Sequence, residues 1–196
     1  SGSTAAPRGV LLSHRALLAN QEMVRRHMGN GPDTTLVSWL PTYHDMGLCL
    51  GLLQPLFAGG AALVMAPETF VMRPERWLRA ISGLPDVMSA APDFGYAWCV
   101  RRIRERTKAG IDLSGWRVAI NGAEPVRPET LRDFHAAFAD LGLRERTLTP
   151  AYGLAEATLF VTGSTGDGAP VVRRYDRDAL AAGRAERAAG DGSVEL

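Results

Sequence analysis

The stretch Arg117-Val-Ala-Ile-Asn-Gly-Ala-Glu-Pro125, followed by the run from Pro128 to Leu141 and closed by Gly142, decides the fold class. Arg117 to Asn121 is strand-like and ends in a small-residue turn. Pro128 then opens a helix in which Leu131, Phe134, Phe138 and Leu141 recur at helical spacing, and Gly142 stops it. A strand, a short turn and an amphipathic helix form the repeating unit of a parallel sheet.

The same alternation extends to both sides. Upstream, Val87 to Ala90 reads as a buried strand ending in Ala91-Pro92-Asp93, with Asp93 capping a helix that carries Phe94, Ala97, Trp98 and Ile103. That helix runs into the basic stretch Arg101 to Arg106, which suits a solvated helix C-terminus. Nearer the start, Ser13 caps a helix to Met28 that stops at Gly29, with Leu17, Val24 and Met28 near one face. Thr35 to Trp39 is strand-like and leads to Pro41-Thr-Tyr-His-Asp45. Pro74 opens a short helix with Trp77, Leu78 and Ile81. Downstream, a strand near Leu148 runs into Tyr152-Gly-Leu-Ala-Glu156, and Thr158 to Thr162 is again β-branched. Past Gly163 the composition shifts to Gly, Ala, Asp and Arg, with a short strand expected at Val171 to Tyr175 and an exposed helix or loop from Asp176 to Ala189.

The 196 residues suffice for one domain, with 46% hydrophobic and 22% charged residues, which excludes a disordered or collagen-like chain. A formal charge of +1 gives no global basic field to draw nucleic acid or an anionic membrane. The cations are almost all arginine, Lys108 being the lone lysine. Cys49 and Cys99 lack the spacing of a zinc or redox motif and fit packed thiols in a reducing cytoplasm. Ser1-Gly-Ser-Thr4 shows no signal-peptide pattern. Met46 to Ala66 has no charge and is long enough to span a bilayer, but Gln54-Pro55 and Gly59-Gly60 divide it into a buried helix, a turn and a buried strand, Ala61 to Met65.

The expected fold is therefore α/β, a mostly parallel sheet covered by helices on both faces. Ligands of such sheets sit beyond the carboxyl ends of the strands. The turns at Tyr43-His44-Asp45, Ala91-Pro92-Asp93, Gly122-Ala123-Glu124 and Tyr152-Gly153 each follow a strand, so they gather along one edge. Ser1-Gly2-Ser3-Thr4 has the small, hydroxyl-bearing residues of a phosphate loop, although no Gly-Lys-Ser/Thr follows and such runs are more often flexible ends. His44 has no second His or Cys at metal-ligand spacing. Glu156 can place a carboxylate on a polyphosphate-bound Mg²⁺, or serve only as a capping residue. Tyr152 can stack on a flat base, or edge the core. No Gly-x-Ser-x-Gly elbow is present, which weighs against a hydrolase.

Taken in order, five motifs resemble one family. Ser1-Gly-Ser-Thr-Ala-Ala-Pro-Arg-Gly-Val10 with Leu12-Ser13-His14 is similar to the phosphate loop of adenylate-forming enzymes. Trp39-Leu-Pro-Thr-Tyr-His-Asp-Met-Gly-Leu48 and Pro150-Ala-Tyr-Gly-Leu-Ala-Glu-Ala-Thr-Leu-Phe160 resemble the fatty acyl-AMP ligase branch, with Ser89-Ala-Ala-Pro-Asp-Phe94 and Asn121-Gly-Ala-Glu-Pro-Val126 between them. The resemblance covers essentially the whole chain. It implies an enzyme that joins a fatty acid to ATP as acyl-adenylate, releases pyrophosphate and passes the acyl group to the phosphopantetheine of an acyl carrier protein, often one serving a polyketide or lipopeptide synthase. It further implies that Ser1, Gly2, Ser3 and Thr4 hold the β- and γ-phosphates, that Glu156 binds Mg²⁺, and that Tyr152 with Gly122, Ala123 and Glu124 frames the adenine. Gly153, Leu154 and Ala155 belong to the same nucleotide motif. By the same resemblance His44 lies near the α-phosphate, and Met46, Pro92, Phe94 and Gly95 begin the acyl tunnel.

The resemblance also has departures. The family loop reads Thr-Gly-x-Pro-Lys-Gly where this chain has Thr4-Ala5-Ala6-Pro7-Arg8-Gly9, which implies a stiffer and weaker phosphate loop. The family's strand before that loop, its ribose-binding Asp, its hinge and its small C-terminal domain with a catalytic Lys have no counterpart here, and Lys108 does not match that Lys. The chain thus reads as residues 1–196 of a partial N-terminal adenylation domain, with little turnover by itself. Its 171–189 stretch resembles the insertion that separates acyl-AMP ligases from acyl-CoA synthetases, or is a surface segment. Two alternatives stand beside the leading reading: a long-chain acyl-CoA ligase, and a non-catalytic adenylation-like binding module.

Overall fold

Ser13 begins the first element as the sequence requires. In the computed structural model, which describes residues 9–164, 168–190 and 192–195, its hydroxyl accepts the Ala16 N–H at 3.1 Å and starts α1 (His14–Met28), which Gly29 closes. The chain then forms β1 (Thr35–Ser38), α2 (Asp45–Leu48), a π-helical turn (Cys49–Leu53), α3 (Gln54–Ala58) and β2 (Ala61–Val64). Two short helices, α4 (Pro67–Met72) and α5 (Glu75–Ile81), precede β3 (Val87–Ala91). Next come α6 (Asp93–Arg102), α7 (Glu105–Lys108), β4 (Trp116–Asn121) and α8 (Pro128–Phe138). A hairpin of β5 (Leu148–Gly153) and β6 (Phe160–Gly163) follows.

Among the described residues the main sheet has the order β2-β1-β3-β4-β5-β6. Its first five strands run parallel, and β6 is antiparallel to β5. Helices cover both faces, and β3 shows how. Ser89 receives the indole N–H of Trp77 from α5 at 2.8 Å, while its neighbour Met88, pointing to the opposite face, receives the Asn30 amide from the end of α1 at 3.0 Å. Each of the five residues of β3 is buried, as a central strand of a doubly covered sheet must be.

The face under α5, α6 and α8 is built from rings. Trp77, Trp116, Tyr96 and Phe134 are fully buried, with ring centroids 5.0 to 6.0 Å apart in edge-on arrangements. The polar tips of these rings are paired: Trp77 donates to Ser89, Tyr96 O–H to the Ile120 carbonyl at 2.7 Å and Trp116 N–H to the Val118 carbonyl at 2.9 Å.

Several expectations change. The 61–64 strand is exposed along its length, because it is an edge with β1 as its one neighbour; an uncharged run therefore did not mean burial. Asp93 does not cap α6 from outside: Pro92 is the N-cap, and Asp93 occupies the first helical turn with its carboxylate turned into the protein. The basic stretch does not form one helix end, since α6 stops at Arg102 and the chain restarts as α7. Tyr152 and Gly153 lie in β5 rather than after it, paired to β6. The tail folds as β7 (Arg174–Asp176), α9 (Arg177–Ala181) and β8 (Ser193–Glu195), with β7 and β8 antiparallel and Glu195 bound by Arg174 and by Arg132 of α8, each at 2.9 Å. Among the described residues no helix is long and apolar enough to cross a membrane. Cys49 and Cys99 are both unpaired and buried.

Candidate active site

The carboxyl ends of β1, β4 and β5 open onto one cleft of about 470 Å³. His44 and Met46 reach it from the segment after β1, Gly122 and Ala123 from the turn after β4, and Tyr152 through Glu156 from the end of β5. Its apolar floor comes from Val24 and Met28 of α1 and from Leu50 of the π-helical turn. Separate loops thus meet at one site because parallel strands deliver them to the same edge.

The turn after β4 runs close to β5. A Cβ on Gly122 would stand 2.7 Å from the Ala151 carbonyl oxygen, so glycine is what the close approach tolerates. Ala123 follows with φ 67, the left-handed region that costs an alanine about 1–2 kcal/mol. Strain of this kind persists where the surroundings over-determine it and collects at functional sites.

The hairpin from β5 to β6 is tight. Leu154 N–H donates to the Leu159 carbonyl at 2.9 Å, and Gly153 packs so closely that a Cβ there would lie 2.0 Å from that same oxygen. Glu156 sits exposed at the tip, in a short 3₁₀ turn (Ala155–Ala157) that ends in Thr158 at φ 75. Asn20 of α1, itself buried, holds this hairpin. Its Nδ2 donates to the Phe160 carbonyl at 2.8 Å and to the Ala157 carbonyl at 3.3 Å, and its Oδ1 accepts the Phe160 N–H at 3.1 Å. The next residue, Gln21, donates to the Cys49 carbonyl at 3.1 Å and so ties α1 to the opposite wall. α1 therefore fixes two walls of the cleft from its buried face. Sequence reading identified that face only as core; two adjacent amides on an otherwise apolar stripe were the signal.

His44 and Asp45 form a coupled pair. Protonated, His44 Nδ1 donates to Asp45 Oδ1 at 2.9 Å; neutral, it accepts the Met46 N–H at 3.2 Å and caps α2. The hydrogen bond to Asp45 raises the histidine above its ordinary value against partial burial, and the same bond lowers Asp45. Asp45 was not singled out from the sequence as a partner for His44, although the two are adjacent.

Not every expected residue joins the cleft. Glu124 turns to the far side of its loop, where its carboxylate accepts the Phe94 N–H at 2.6 Å, and it lines a separate groove between α6 and α8. Phe94 faces that groove too, and Pro92 and Gly95 do not line the cleft, so of the residues expected to begin an acyl tunnel Met46 alone reaches it. A Cβ on Gly95 would meet the Trp39 ring at 2.9 Å, so that glycine serves packing. Ser1, Gly2, Ser3 and Thr4, with the Ala5, Ala6 and Arg8 substitutions of that loop, lie outside the described residues.

Chemically the cleft combines a flat exposed aromatic side chain, Tyr152, backbone edges at 122–123, the His44–Asp45 pair and the exposed carboxylate of Glu156, above an apolar floor. Among the described residues no group of three or more His, Cys, Asp or Glu side chains gathers to hold a metal. An exposed carboxylate such as that of Glu156 suits a hard cation that keeps most of its waters or takes its other ligands from a phosphate, as Mg²⁺ does.

Residues 1–185 match the family model described as AMP-binding enzyme. Among curated relatives, the medium-chain fatty acid–acyl-carrier-protein ligase TtuA of Teredinibacter turnerae is 44% identical over 184 residues, 94% of this chain and 29% of that protein. The putative fatty-acid–CoA ligase FadD21 of Mycobacterium tuberculosis is 43% identical over 193 residues, 95% of this chain and 33% of that protein. The chain thus spans about a third of the length of these curated relatives. A crystal structure of a fatty acyl-adenylate ligase from L. pneumophila, in complex with acyl adenylate and pyrophosphate, superposes with a TM-score of 0.94 at 42% identity, over 100% of this chain and 35% of that one.

Proposed function

The chain belongs to the AMP-binding enzyme family, and from that premise we propose that it forms the nucleotide- and acyl-binding part of a fatty acyl-AMP ligase. The observation that carries the reading is the meeting of Tyr152, Gly122, Ala123, His44 and Glu156 around one cleft with an apolar floor. Such a cleft suits a ligand with a flat base, a charged centre and a greasy tail, the description of an acyl-adenylate.

In the reaction the fatty-acid carboxylate attacks the α-phosphorus of ATP, a new O–P bond forms, and pyrophosphate leaves with the electrons of the broken P–O bond. Both partners are anions, so positioning and charge neutralisation carry most of the rate. Tyr152 stacks against the adenine while the 122–123 backbone bounds its edge. His44, held protonated to higher pH by Asp45, presents a positive imidazole toward the carboxylate and the α-phosphate. Met46, Leu50 and Met28 exclude water from the start of the acyl chain. Glu156 would hold the Mg²⁺, which when bound neutralises phosphate charge. Ser1 to Thr4 would cradle the terminal phosphates.

The acceptor we infer is the phosphopantetheine of an acyl carrier protein, supported by the likeness to TtuA, and the 171–189 segment, which contributes β7 and α9, is read as the branch-specific insertion. The likeness to FadD21 supports coenzyme A as the second reading. On this reading a small domain carrying the catalytic lysine would belong to the rest of the enzyme. A cytoplasmic setting agrees with the two unpaired thiols. The test is fatty-acid-dependent exchange of labelled pyrophosphate into ATP by the full-length protein, followed by separate supply of coenzyme A and a holo carrier protein. Exchange that ignores the fatty acid removes the reading, and efficient acyl-CoA formation replaces the acceptor.

A further inference from the structure

Asp93 lies behind the cleft rather than in it. It is 5% exposed, and its carboxylate accepts three hydrogen bonds. Asn121 Nδ2 and the Arg127 N–H reach Oδ1 at 2.9 and 3.1 Å, and the Thr130 hydroxyl reaches Oδ2 at 2.8 Å. Asn121 is the last residue of β4, while Arg127 and Thr130 open α8. One carboxylate therefore clasps both ends of the 122–126 loop. Two further ties act on the same loop: the Phe94 N–H on Glu124, and the Gly122 N–H on the Ala91 carbonyl at 3.3 Å. The inner side of the loop is the Gly122–Ala123 wall of the cleft, with Ala123 held at positive φ.

We propose that Asp93 is a positioning residue for the nucleotide: by clasping Asn121, Arg127 and Thr130 it sets the shape of the loop that receives the base. This rests on the reading of the cleft as a nucleotide site. Backbone edges recognise a flat ring only when they are fixed beforehand, and a loose loop must be ordered as the ligand binds, at the expense of affinity. The acyl side of the cleft, at Met46 and Leu50, follows β1 and is tied to α1 through Gln21 and Cys49. Loss of the Asp93 clasp therefore weakens the enzyme for ATP and spares it for the acid.

The experiment is steady-state pyrophosphate exchange in the full-length protein, with KM measured separately for ATP and for fatty acid and ATP affinity checked by calorimetry. Asp93→Ala raises KM for ATP about tenfold and leaves KM for the acid within about twofold. Asp93→Asn keeps the shape: its Oδ1 accepts from Asn121 and Arg127 and its Nδ2 donates to the Thr130 hydroxyl, so KM for ATP stays within about threefold of the parent value. Thr130→Val removes one bond alone, raises KM for ATP about threefold, and decides the matter should Asp93→Ala not fold. A flat KM for ATP in a folded Asp93→Ala or Thr130→Val, equal rises for both substrates, or an Asn variant as impaired as the Ala one overturns the role of Asp93. Exchange by the parent with flat variants overturns that role alone. A parent that neither exchanges nor binds ATP removes the nucleotide reading, and this proposal with it.

Discussion

The two faces of the sheet are held by different means. Under α5, α6 and α8, rings from four elements bury one another completely and the hydrogen bonds of the rings serve to satisfy their polar tips, with the Asp93 clasp at the edge of this face toward the 122–126 loop. On the α1 face, toward the cleft, the organising contacts are side-chain amides on loop backbones: Asn20 on the β5–β6 hairpin and Gln21 on the π-helical turn. Apolar packing is non-directional and adds stability in proportion to area, whereas an amide on a carbonyl fixes a position. The ring face stabilises the domain; the amide face positions the β5–β6 hairpin and the π-helical turn of the rim. Of the two positive-φ residues other than glycine among the described residues, Ala123 lines the cleft and Thr158 lies buried in the β5–β6 hairpin beside it.

If the division is sound, the faces must respond differently to mutation. The largest effect is expected from Trp77→Ala, which empties the middle of the ring cluster and lowers unfolding free energy by about 3–5 kcal/mol; denaturant titration of the chain measures it. A loss below about 1 kcal/mol would dissolve the contrast. Glu156→Gln, at the exposed tip of the hairpin, comes next: pyrophosphate exchange falls on the order of a hundredfold while the unfolding midpoint stays put. Asn20→Ala joins both behaviours. It frees the hairpin and takes this partner from the buried Phe160 carbonyl and N–H and from the half-buried Ala157 carbonyl, so stability drops by about 1–3 kcal/mol and exchange declines by about tenfold. A change in stability without a change in exchange would show that Asn20 does not position Glu156.

The smallest effect belongs to His44 and Asp45. The histidine is raised in the folded protein, so its contribution to stability is complete below its ordinary value of about 6.5 and is lost as pH rises through the raised one. Asp45 is lowered, so its contribution is present above the ordinary carboxylate range and is lost as pH falls through the lowered value. The pair therefore supports the fold most between those limits, weakly, because the His44 side chain is 42% exposed. Asp45→Asn moves the His44 titration downward, readable by NMR. An unmoved titration would separate the two residues.

The sequence announced this architecture where its patterns were strong. Pro128, Leu131, Phe134 and Phe138 specify α8 from local signals alone, although the helix ends at Phe138 and Gly142 closes the 3₁₀ turn Ala139–Leu141 that follows; Ser13 with Gly29 sets both ends of α1. The rim was legible because polar turns after strands of a parallel sheet have one place to go. What stayed hidden depends on register and on which side of a loop a residue faces. Glu124 directly follows two cleft residues yet points away, because Ala123 at positive φ turns the chain between them. The exposure of β2 could not be read from Leu63 and Val64, since strand order in the sheet is not written in any local window. Asp93 looked like a cap because caps are local; its three partners lie 28 to 37 residues away.

The central claim is that loops from three strands build one adenylate-binding cleft. The direct measurement is a titration of the protein with a non-hydrolysable acyl-adenylate mimic, followed by amide chemical shifts. The account predicts saturable binding that moves Gly122, Ala123, Tyr152, Leu154 and His44 together and leaves the groove at Trp98 and Asp133 still. No binding, or shifts confined to that groove, would contradict it.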